Sequence, residues 1–230
     1  MVKKIKIYKN FKIKNSDKNS IVLIGNFDGL HAGHQKLFKQ AQKFKKKLKL
    51  KLGVITFDPI PKMFFDKKIK NYRISNFDQK VSYFEKFNVD FLINKSFNKK
   101  FSKITYSKFI QNILYKNLNV KYIFVSNNFR FGYKREGNVS LLKRYQKKYK
   151  YKVVNPKPLI IKNKVISSTF IRKLLQNAEL NSANKILKRN WSIEGTVEKG
   201  RMIGKKIGFP TCNIDIKNYI LAKTGVYAVK

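Results

Sequence analysis

The sequence Gly25-Asn26-Phe27-Asp28-Gly29-Leu30-His31-Ala32-Gly33-His34 comes directly after the apolar run Ile21 to Ile24. A short β-branched run that is apolar at every position is typical of a strand buried on both faces of a parallel sheet. A helix-like pattern follows from His34 to Leu48, so the quoted stretch is predicted to turn from a central strand into a helix. Ligands bind at that edge of α/β sheets, so this stretch predicts both the fold class and the place of the site.

Strand-like and helix-like stretches continue to alternate along the chain. Further buried strands are predicted at Gly53 to Phe57, Val89 to Ile93, Tyr122 to Val125 and Lys152 to Val154. Helices are predicted at Asp78 to Phe87, Tyr106 to Leu118, Val139 to Tyr149 and, after the hydroxyls of Ser167, Ser168 and Thr169, at Phe170 to Leu175. Repeated strand–helix units predict a parallel sheet with helices on both faces.

The character of the sequence changes after Asn190. Trp191 to Glu198 alternates apolar and polar residues, Gly and Pro become frequent, and Gly225 to Lys230 is predicted to be another strand. This pattern is typical of antiparallel β structure. We therefore predict two domains, residues 1–183 and residues 184–230.

The 230 residues carry 53 Lys+Arg against 12 Asp+Glu, a formal net charge of +41. Such a charge suggests nucleic-acid binding, but lysines run through every segment instead of forming one stripe, so we interpret them mainly as a solvated coat. With 43% hydrophobic residues the chain is expected to fold. A single cysteine excludes an internal disulfide, and no apolar run is long enough for a membrane span, which favours the cytoplasm.

The turn before the first helix has the chemistry of a phosphate site. A helix N-terminus offers free N–H groups and a positive dipole end, and His31 and His34 lie on one side of its first turn. Two histidines without cysteine or a placed carboxylate are a poor zinc site, and the spacing of Gly25, Gly29 and Gly33 does not match a dinucleotide fingerprint. The sequence therefore favours phosphate binding.

The stretch Gly25 to His34 resembles the G-x-F-D-x-x-H-x-G-H signature of the nucleotidyltransferase superfamily. Val54 to Pro61, Asn128 to Gly132 and Ile166 to Arg172 are similar, in order, to segments of bacterial FAD synthetases, the bifunctional riboflavin kinase/FMN adenylyltransferase family. The resemblance implies a Rossmann-like domain that converts ATP and FMN into FAD and pyrophosphate. The chain departs from that pattern at Ile60, where the family commonly has His, and at Ser126 or Asn127, where it often has Gly.

The resemblance also implies roles for individual residues. The catalytic set is expected to be His31, His34 and Arg172, which would neutralise the phosphates in a reaction that needs no general base. ATP is expected to bind Gly25, Asn26, Phe27, Asp28, Gly29, Gly33, Ser168 and Thr169, although the two hydroxyls have the alternative role of capping a helix. Contacts to flavin or nucleotide are expected from Phe57, Asn128 and Arg130. Mg²⁺ is expected on the nucleotide, held mostly by phosphate and water, with no protein metal cluster.

The segment Gly200 to Ile214 resembles the start of the riboflavin kinase domain of the same family, and Thr211 and Asn213 would belong to its ATP–magnesium site. The kinase glutamate and flavin-binding segments lie further on in that family. We therefore expect an incomplete antiparallel β-barrel and no conversion of riboflavin to FMN by the chain as given. We expect ATP and FMN as partners, with no specific nucleic acid and no membrane. Two alternatives stay open: a nucleotidyltransferase with another phosphorylated acceptor, and a basic nucleic-acid-binding protein.

Overall fold

The computed structural model describes residues 4–161, 163–200, 208, 211–216 and 218–229. In chain order its strands are β1 (Lys6–Tyr8), β2 (Ile21–Ile24), β3 (Leu52–Asp58), β4 (Phe91–Ser96), β5 (Tyr122–Phe124), β6 (Arg130–Phe131), β7 (Gly137–Asn138), β8 (Lys152–Val154), β9 (Ile160–Ile161), β10 (Lys164–Val165), β11 (Val197–Glu198) and β12 (Asn213–Ile214). Six of them form one sheet in the order β1-β4-β3-β2-β5-β8, in which all neighbours are parallel. The predicted α/β class is confirmed.

The helices are α1 (Ala32–Leu48), α2 (Pro61–Phe65), α3 (Phe77–Lys86), α4 (Lys99–Ser102), α5 (Tyr106–Lys108), α6 (Val139–Arg144), α7 (Gln146–Tyr149), α8 (Ser168–Gln176) and α9 (Leu180–Leu187). A π-helix continues α5 over Phe109–Asn117. Local capping explains several helix starts, because side-chain oxygens there accept from otherwise unpaired backbone N–H groups. Asn76 and Gln79 form a capping box at the start of α3, and Ser167 caps α8 by accepting from the Phe170 N–H.

The core lies on both faces of the sheet. All four residues of β2 are buried, and successive side chains point to opposite faces. Val22 and Ile24 therefore pack in one apolar cluster and Ile21 and Leu23 in the other. Gly53 in the neighbouring β3 leaves room for a ring, since a Cβ there would lie 2.2 Å from the Phe91 side chain. Consecutive apolar residues in β2 thus reflect two buried faces, as expected.

The predicted central strands and main helices all form, with bounds that differ by a few residues. The predicted helix from Val139 to Tyr149 is divided into α6 and α7 at Tyr145. Among the elements not predicted are β1, α2 and α9. The strand predicted at Gly225 to Lys230 is wrong for residues 225–229, the described part of that segment, which form no strand. In the described part of that segment Val226 and Val229 are almost fully exposed, so they have none of the cross-strand packing that stabilises a strand.

The predicted domain boundary falls inside α9. Ala183 and Leu187 on that helix are buried in one cluster with Ile171 and Leu175 of α8. Residues of α9 thus pack with α8 on the other side of the predicted boundary, and the division into domains stays a prediction. Beyond it, of the predicted β segment 191–198, only Val197–Glu198 is a strand, antiparallel to β12.

The C-terminal described residues pack on the segment between α2 and α3. The backbone N–H groups of Tyr72 and Arg73 donate to the Asn218 carbonyl at 3.0 and 2.8 Å, and the Ile220 N–H donates to the Arg73 carbonyl at 2.7 Å. Tyr219 is buried between them, and its hydroxyl donates to Gln79 at 3.0 Å. Residues 218–220 therefore help to hold in place the segment that leads into α3.

Candidate active site

The turn between β2 and α1 brings the two histidines of the chain into contact. His31 is the N-cap of α1, and its Nδ1 accepts from the His34 backbone N–H at 3.3 Å. The two imidazole rings stack with their centroids 3.7 Å apart. Because Nδ1 of His31 accepts a hydrogen bond, a neutral His31 carries its proton on Nε2. The cap therefore fixes both the position and the tautomer of this ring.

Both histidines are held in their neutral form. Burial, followed by the charges of Arg172 and Arg189, lowers the pKa of His31 to about 4. Burial also lowers the pKa of His34 well below its usual value, with further contributions from His31 and Lys80. Nδ1 of His34 is buried and has no hydrogen-bond partner within the described residues. An unpaired buried nitrogen of this kind is costly, and a polar ligand at that position would relieve the cost.

Asp28 ties the turn to two distant segments. Its carboxylate accepts from the backbone N–H groups of Ile74 and Ser75 and from the Arg172 guanidinium, the last at 2.5 Å. Its backbone carbonyl accepts from the Ser168 hydroxyl at 2.8 Å. Asp28 is almost fully buried, so its side chain serves these contacts instead of facing a ligand. The Asp28 carboxylate is thus engaged by protein donors, and the expectation that Asp28 belongs to the ATP site stays a prediction.

Three contacts hold the Arg172 side chain in place. Besides its ion pair with Asp28, its Nε donates to the Tyr72 carbonyl at 2.7 Å, and its guanidinium lies 3.6 Å from the centre of the Tyr72 ring. Two of its five N–H donors are used in these hydrogen bonds. The guanidinium is thus held rigidly near the start of α8, and its other N–H groups take no part in these two hydrogen bonds.

A cavity of about 740 Å³ opens at the carboxyl edge of the sheet. Its polar lining includes His34, Thr169 and Arg172, and its apolar lining includes Ile60, which is buried. Most of the predicted site residues line it: Gly25, Asn26, Phe27, Asp28, His34, Phe57, Asn128, Arg130, Ser168, Thr169 and Arg172. The residues expected to bind phosphate thus converge from β2, α1 and α8 on one cavity.

Some predicted residues lie outside that cavity. His31 is 4% exposed and contacts the cavity only through His34, and Gly29 and Gly33 support the turn without lining the cavity. Thr211 and Asn213 are exposed on and beside β12, also outside it. Most of the predicted kinase segment between Gly200 and Thr211 lies outside the described residues. In this structure His31 caps α1 and stacks on His34, and its direct contact with phosphate stays a prediction.

The other wall of the cavity is aromatic. Phe57 packs against Phe97 and Phe101, with ring centroids 6.1 and 5.6 Å away. Phe129 stacks on Phe131 at 5.5 Å. All five rings line the cavity. A pocket with one polar and one aromatic wall suits a ligand that combines phosphates with a flat apolar ring system.

Three residues near the site were not found from the sequence. The ring of Tyr72 packs against the Arg172 guanidinium, and Arg189 donates to the Gly29 carbonyl at 2.7 Å. The third residue, Lys80, is almost fully buried. Burial lowers the pKa of Lys80, an effect that Asp28 opposes. Lys80 is also an exception to the predicted solvated coat. None of these residues belongs to a local motif, so only the tertiary structure reveals them.

Neither a metal nor a membrane site is evident in the described part of the chain. No group of three or more His, Cys, Asp or Glu side chains there could hold a metal ion. Asp58, which ends β3, forms an ion pair with Arg73. None of the helices there is long and apolar enough to cross a membrane. A second cavity of about 630 Å³, lined mainly by lysines of α1, contains none of the predicted site residues.

Comparison with known proteins identifies two family models and several proteins that this chain resembles. Residues 13–170 match the family model of FAD synthetase, and residues 187–230 match that of riboflavin kinase. A protein of Buchnera aphidicola subsp. Schizaphis graminum, named bifunctional riboflavin kinase/FMN adenylyltransferase, is 43% identical over 95% of this chain and 70% of its own. Proteins of the same name from Haemophilus influenzae and Escherichia coli K12 are 35% and 33% identical, over 90% and 91% of this chain and 67% of each relative.

A crystal structure described as a macrolide-efflux protein from Streptococcus pneumoniae has the same fold. It superposes with a TM-score of 0.82 and 28% sequence identity, covering 97% of this chain and 73% of that one.

Proposed function

Because the chain belongs to the family of bifunctional riboflavin kinase/FMN adenylyltransferases, we propose that its cavity transfers AMP from ATP to FMN. An oxygen of the FMN phosphate attacks the α-phosphorus of ATP and forms the new P–O bond. The bond between the α-phosphorus and the oxygen that bridges to the β-phosphorus breaks, and pyrophosphate leaves with that electron pair. The products are FAD and pyrophosphate.

This reaction needs alignment and charge stabilisation more than proton transfer. The FMN phosphate is already anionic at neutral pH, so it attacks without a general base. Negative charge builds up on the oxygens around the α-phosphorus and on pyrophosphate, and fixed donors that face those oxygens lower the barrier. The observation that carries the proposal is the convergence of His34, the start of α8 and Arg172 on a cavity whose other wall is aromatic.

His34 is proposed to bind phosphate directly. It lines the cavity, is neutral in the free protein and has an unpaired buried Nδ1. A polyphosphate beside this ring would favour its protonated form, because a nearby negative charge raises the pKa of an imidazole. His31 is proposed to hold His34 in place through the cap and the ring stack.

The start of α8 is proposed to bind the triphosphate. Ser168 and Thr169 are its first two residues, so their backbone N–H groups lie in the unpaired first turn. The Thr169 side chain is exposed toward the cavity, whereas the Ser168 hydroxyl donates to the Asp28 carbonyl. The remaining donors of Arg172 are proposed to contact the β- and γ-oxygens. Capping by Ser167 leaves these residues available for that role.

Mg²⁺ is proposed to enter as part of the ATP substrate. The described side chains do not offer it a ligand set, because Asp28 is paired with Arg172 and Asp58 with Arg73. The metal would therefore be held by phosphate oxygens and water, as is common for this ion.

The flavin ring is proposed to lie against the aromatic wall. Phe57 is the central ring of that wall, and Asn128 and Arg130 follow β5 at its rim. Ile60 contributes a buried apolar surface to the same cavity and offers no hydrogen bond to a phosphate. Ring stacking would supply most of the affinity at this end.

The test is to incubate the pure chain with MgATP and FMN and to separate the flavins by chromatography. FAD formed in step with pyrophosphate would support the proposal. The same assay with nicotinamide mononucleotide, phosphopantetheine or glycerol phosphate in place of FMN tests the alternative acceptors. No FAD from FMN, but a product with one of these acceptors, would overturn it. The cytoplasmic location stays a prediction.

A further inference from the structure

Arg189 follows α9 and lies beyond the residues that match the FAD synthetase model, within those that match the riboflavin kinase model. Its guanidinium nevertheless contacts the turn that leads to His31. One terminal nitrogen donates to the Gly29 carbonyl at 2.7 Å, and the other donates to the Leu187 carbonyl at 3.2 Å. The guanidinium also lies 3.9 Å from the centre of the Tyr83 ring on α3. The side chain therefore links α9, α3 and the turn.

The turn needs such support because its backbone is strained. Phe27 and Leu30 have φ angles of 47° and 37°, a region that residues with a side chain rarely adopt, and Gly29 lies between them at 75°. Conformations of this kind persist only when surrounding contacts hold them. Strain at the turn would otherwise relax and move the start of α1.

Three consecutive carbonyls of the turn each accept a hydrogen bond from a side chain outside it. Ser168 donates to Asp28 at 2.8 Å, Arg189 to Gly29 at 2.7 Å, and Gln35 to Leu30 at 3.0 Å. Gln35 also donates to the Leu187 carbonyl at 3.0 Å, the same carbonyl that Arg189 contacts. The end of α9 and the turn are thus joined by two side chains.

We propose that Arg189 is a positioning residue for adenylyl transfer, which acts by fixing the Gly29 carbonyl and hence the His31–His34 pair. This inference rests on the proposed function of the cavity. It implies that a residue within the riboflavin kinase match supports the adenylyltransferase site. Arg189 does not line the cavity, so it acts through the turn and not by contact with substrate.

The test compares Arg189→Met and Arg189→Lys with a control, Lys185→Met. Lys185 is an exposed residue of α9, so the control removes one positive charge from the helix that Arg189 follows and leaves the turn intact. We expect Arg189→Met to lower kcat by about ten- to a hundredfold with much smaller changes in both KM values, because misplaced catalytic groups mainly slow the chemical step. Lysine keeps the charge but cannot contact both carbonyls in the same way, so Arg189→Lys should lower kcat less.

Proton NMR supplies a readout that loss of stability would not move. The chain has two histidines, and His31 faces the charges of Arg172 and Arg189 and the ring of His34. Removing the Arg189 charge removes a repulsion, so the titration midpoint of His31 should rise in Arg189→Met and stay near that of the parent in Arg189→Lys and Lys185→Met.

The outcomes separate the two proposals. If the unaltered chain makes no FAD, the proposed function fails, whatever the variants do. If the unaltered chain is active and folded Arg189→Met has kcat within twofold of it, the positioning role is wrong. It is equally wrong if the His31 midpoint is unchanged in that variant. Should Arg189→Met not fold, a kcat in Arg189→Lys equal to that of the parent overturns the role instead.

Discussion

The carboxylate of Asp28 and the guanidinium of Arg172 form a buried ion pair at 2.5 Å across 144 residues of sequence. The pair joins the turn after β2 to α8, one turn after the start of that helix. A buried charge that loses its partner is strongly destabilising, because neither water nor another group compensates it. The same contact therefore holds together the two segments proposed to bind phosphate and fixes the orientation of Arg172.

Replacing Asp28 with Asn should lower the free energy of unfolding by about 3 to 5 kcal/mol, since Arg172 then lies buried without a counter-charge. Urea unfolding at pH 7 measures this. Asp66→Asn is the matched control, because Asp66 is exposed at the rim of the same cavity, and it should change the free energy by about 0.5 kcal/mol or less. A loss below about 1 kcal/mol in Asp28→Asn would contradict the assignment.

Substitutions at the two histidines should have different effects. His34→Ala should lower turnover at least tenfold while stability is retained, because one charge-assisted contact to phosphate is worth about 1.5 to 3 kcal/mol. His31→Ala should also lower the free energy of unfolding by about 1 kcal/mol, since it removes the cap of α1.

His31→Asn separates the two effects of that residue, because Asn is a good N-cap. We expect it to recover the stability lost in His31→Ala without recovering turnover, since the ring that packs against His34 is still missing. Steady-state kinetics and urea unfolding on the same preparations decide this. Full turnover in His31→Asn would mean that only the cap matters.

The low pKa values of the histidines predict a loss of stability in mild acid. The pKa of His31 is about 4 in the folded chain and close to 6.5 when unfolded, so the unfolded state binds the proton first. The contribution of neutral His31 to the free energy of unfolding is therefore fully present above pH 6.5 and falls as the pH is lowered toward 4. A pKa shift of this size corresponds to a loss of roughly 3 kcal/mol in the free energy of unfolding.

Urea unfolding between pH 7 and 4.5 measures this loss. Burial raises the pKa of Asp17, but contacts with Lys51, Lys6 and Tyr8 outweigh this effect and lower the pKa to about 2. The stabilisation that ionised Asp17 provides is therefore lost only below this pH range. The double variant His31→Asn/His34→Gln should show a much flatter dependence on pH. An equally steep dependence in the double variant would assign the acid sensitivity to other groups.

Phe57→Leu should raise KM for FMN about tenfold and leave KM for ATP nearly unchanged, because ring stacking on an aromatic side chain is worth about 1 to 3 kcal/mol. Phe44→Leu is the matched control, since Phe44 packs against Tyr122 and Phe124 away from the cavity. A parallel rise in both KM values would place the flavin ring elsewhere.

Local signals explain what the sequence predicted well. The apolar run of β2 and the glycine-rich turn with two histidines are contiguous, so they reveal the central strand and the place of the site. Ser167 marks the start of α8 for the same reason. By contrast β1 is short and carries Lys6, and its parallel pairing with β4 across more than eighty residues leaves no local pattern.

The contacts that the sequence could not predict join distant residues. Arg189 contacts Gly29 across 160 positions, and Arg172 contacts Asp28 across 144. The partners of the Asp28 side chain could likewise not be predicted from the motif that contains it. An acidic residue in a phosphate-binding motif suggests a ligand contact, but here its charge is taken up by an arginine that only the fold brings near.

The burial of Tyr219 against Gln79, with the hydrogen bonds between residues 72–73 and 218–220, has a consequence for recombination between relatives. A chimaera that joins the first part of one relative to the last part of another must keep Gln79 and Tyr219 compatible. Crossovers after Leu187 are therefore expected to be tolerated only when the two parents carry compatible side chains at these two positions.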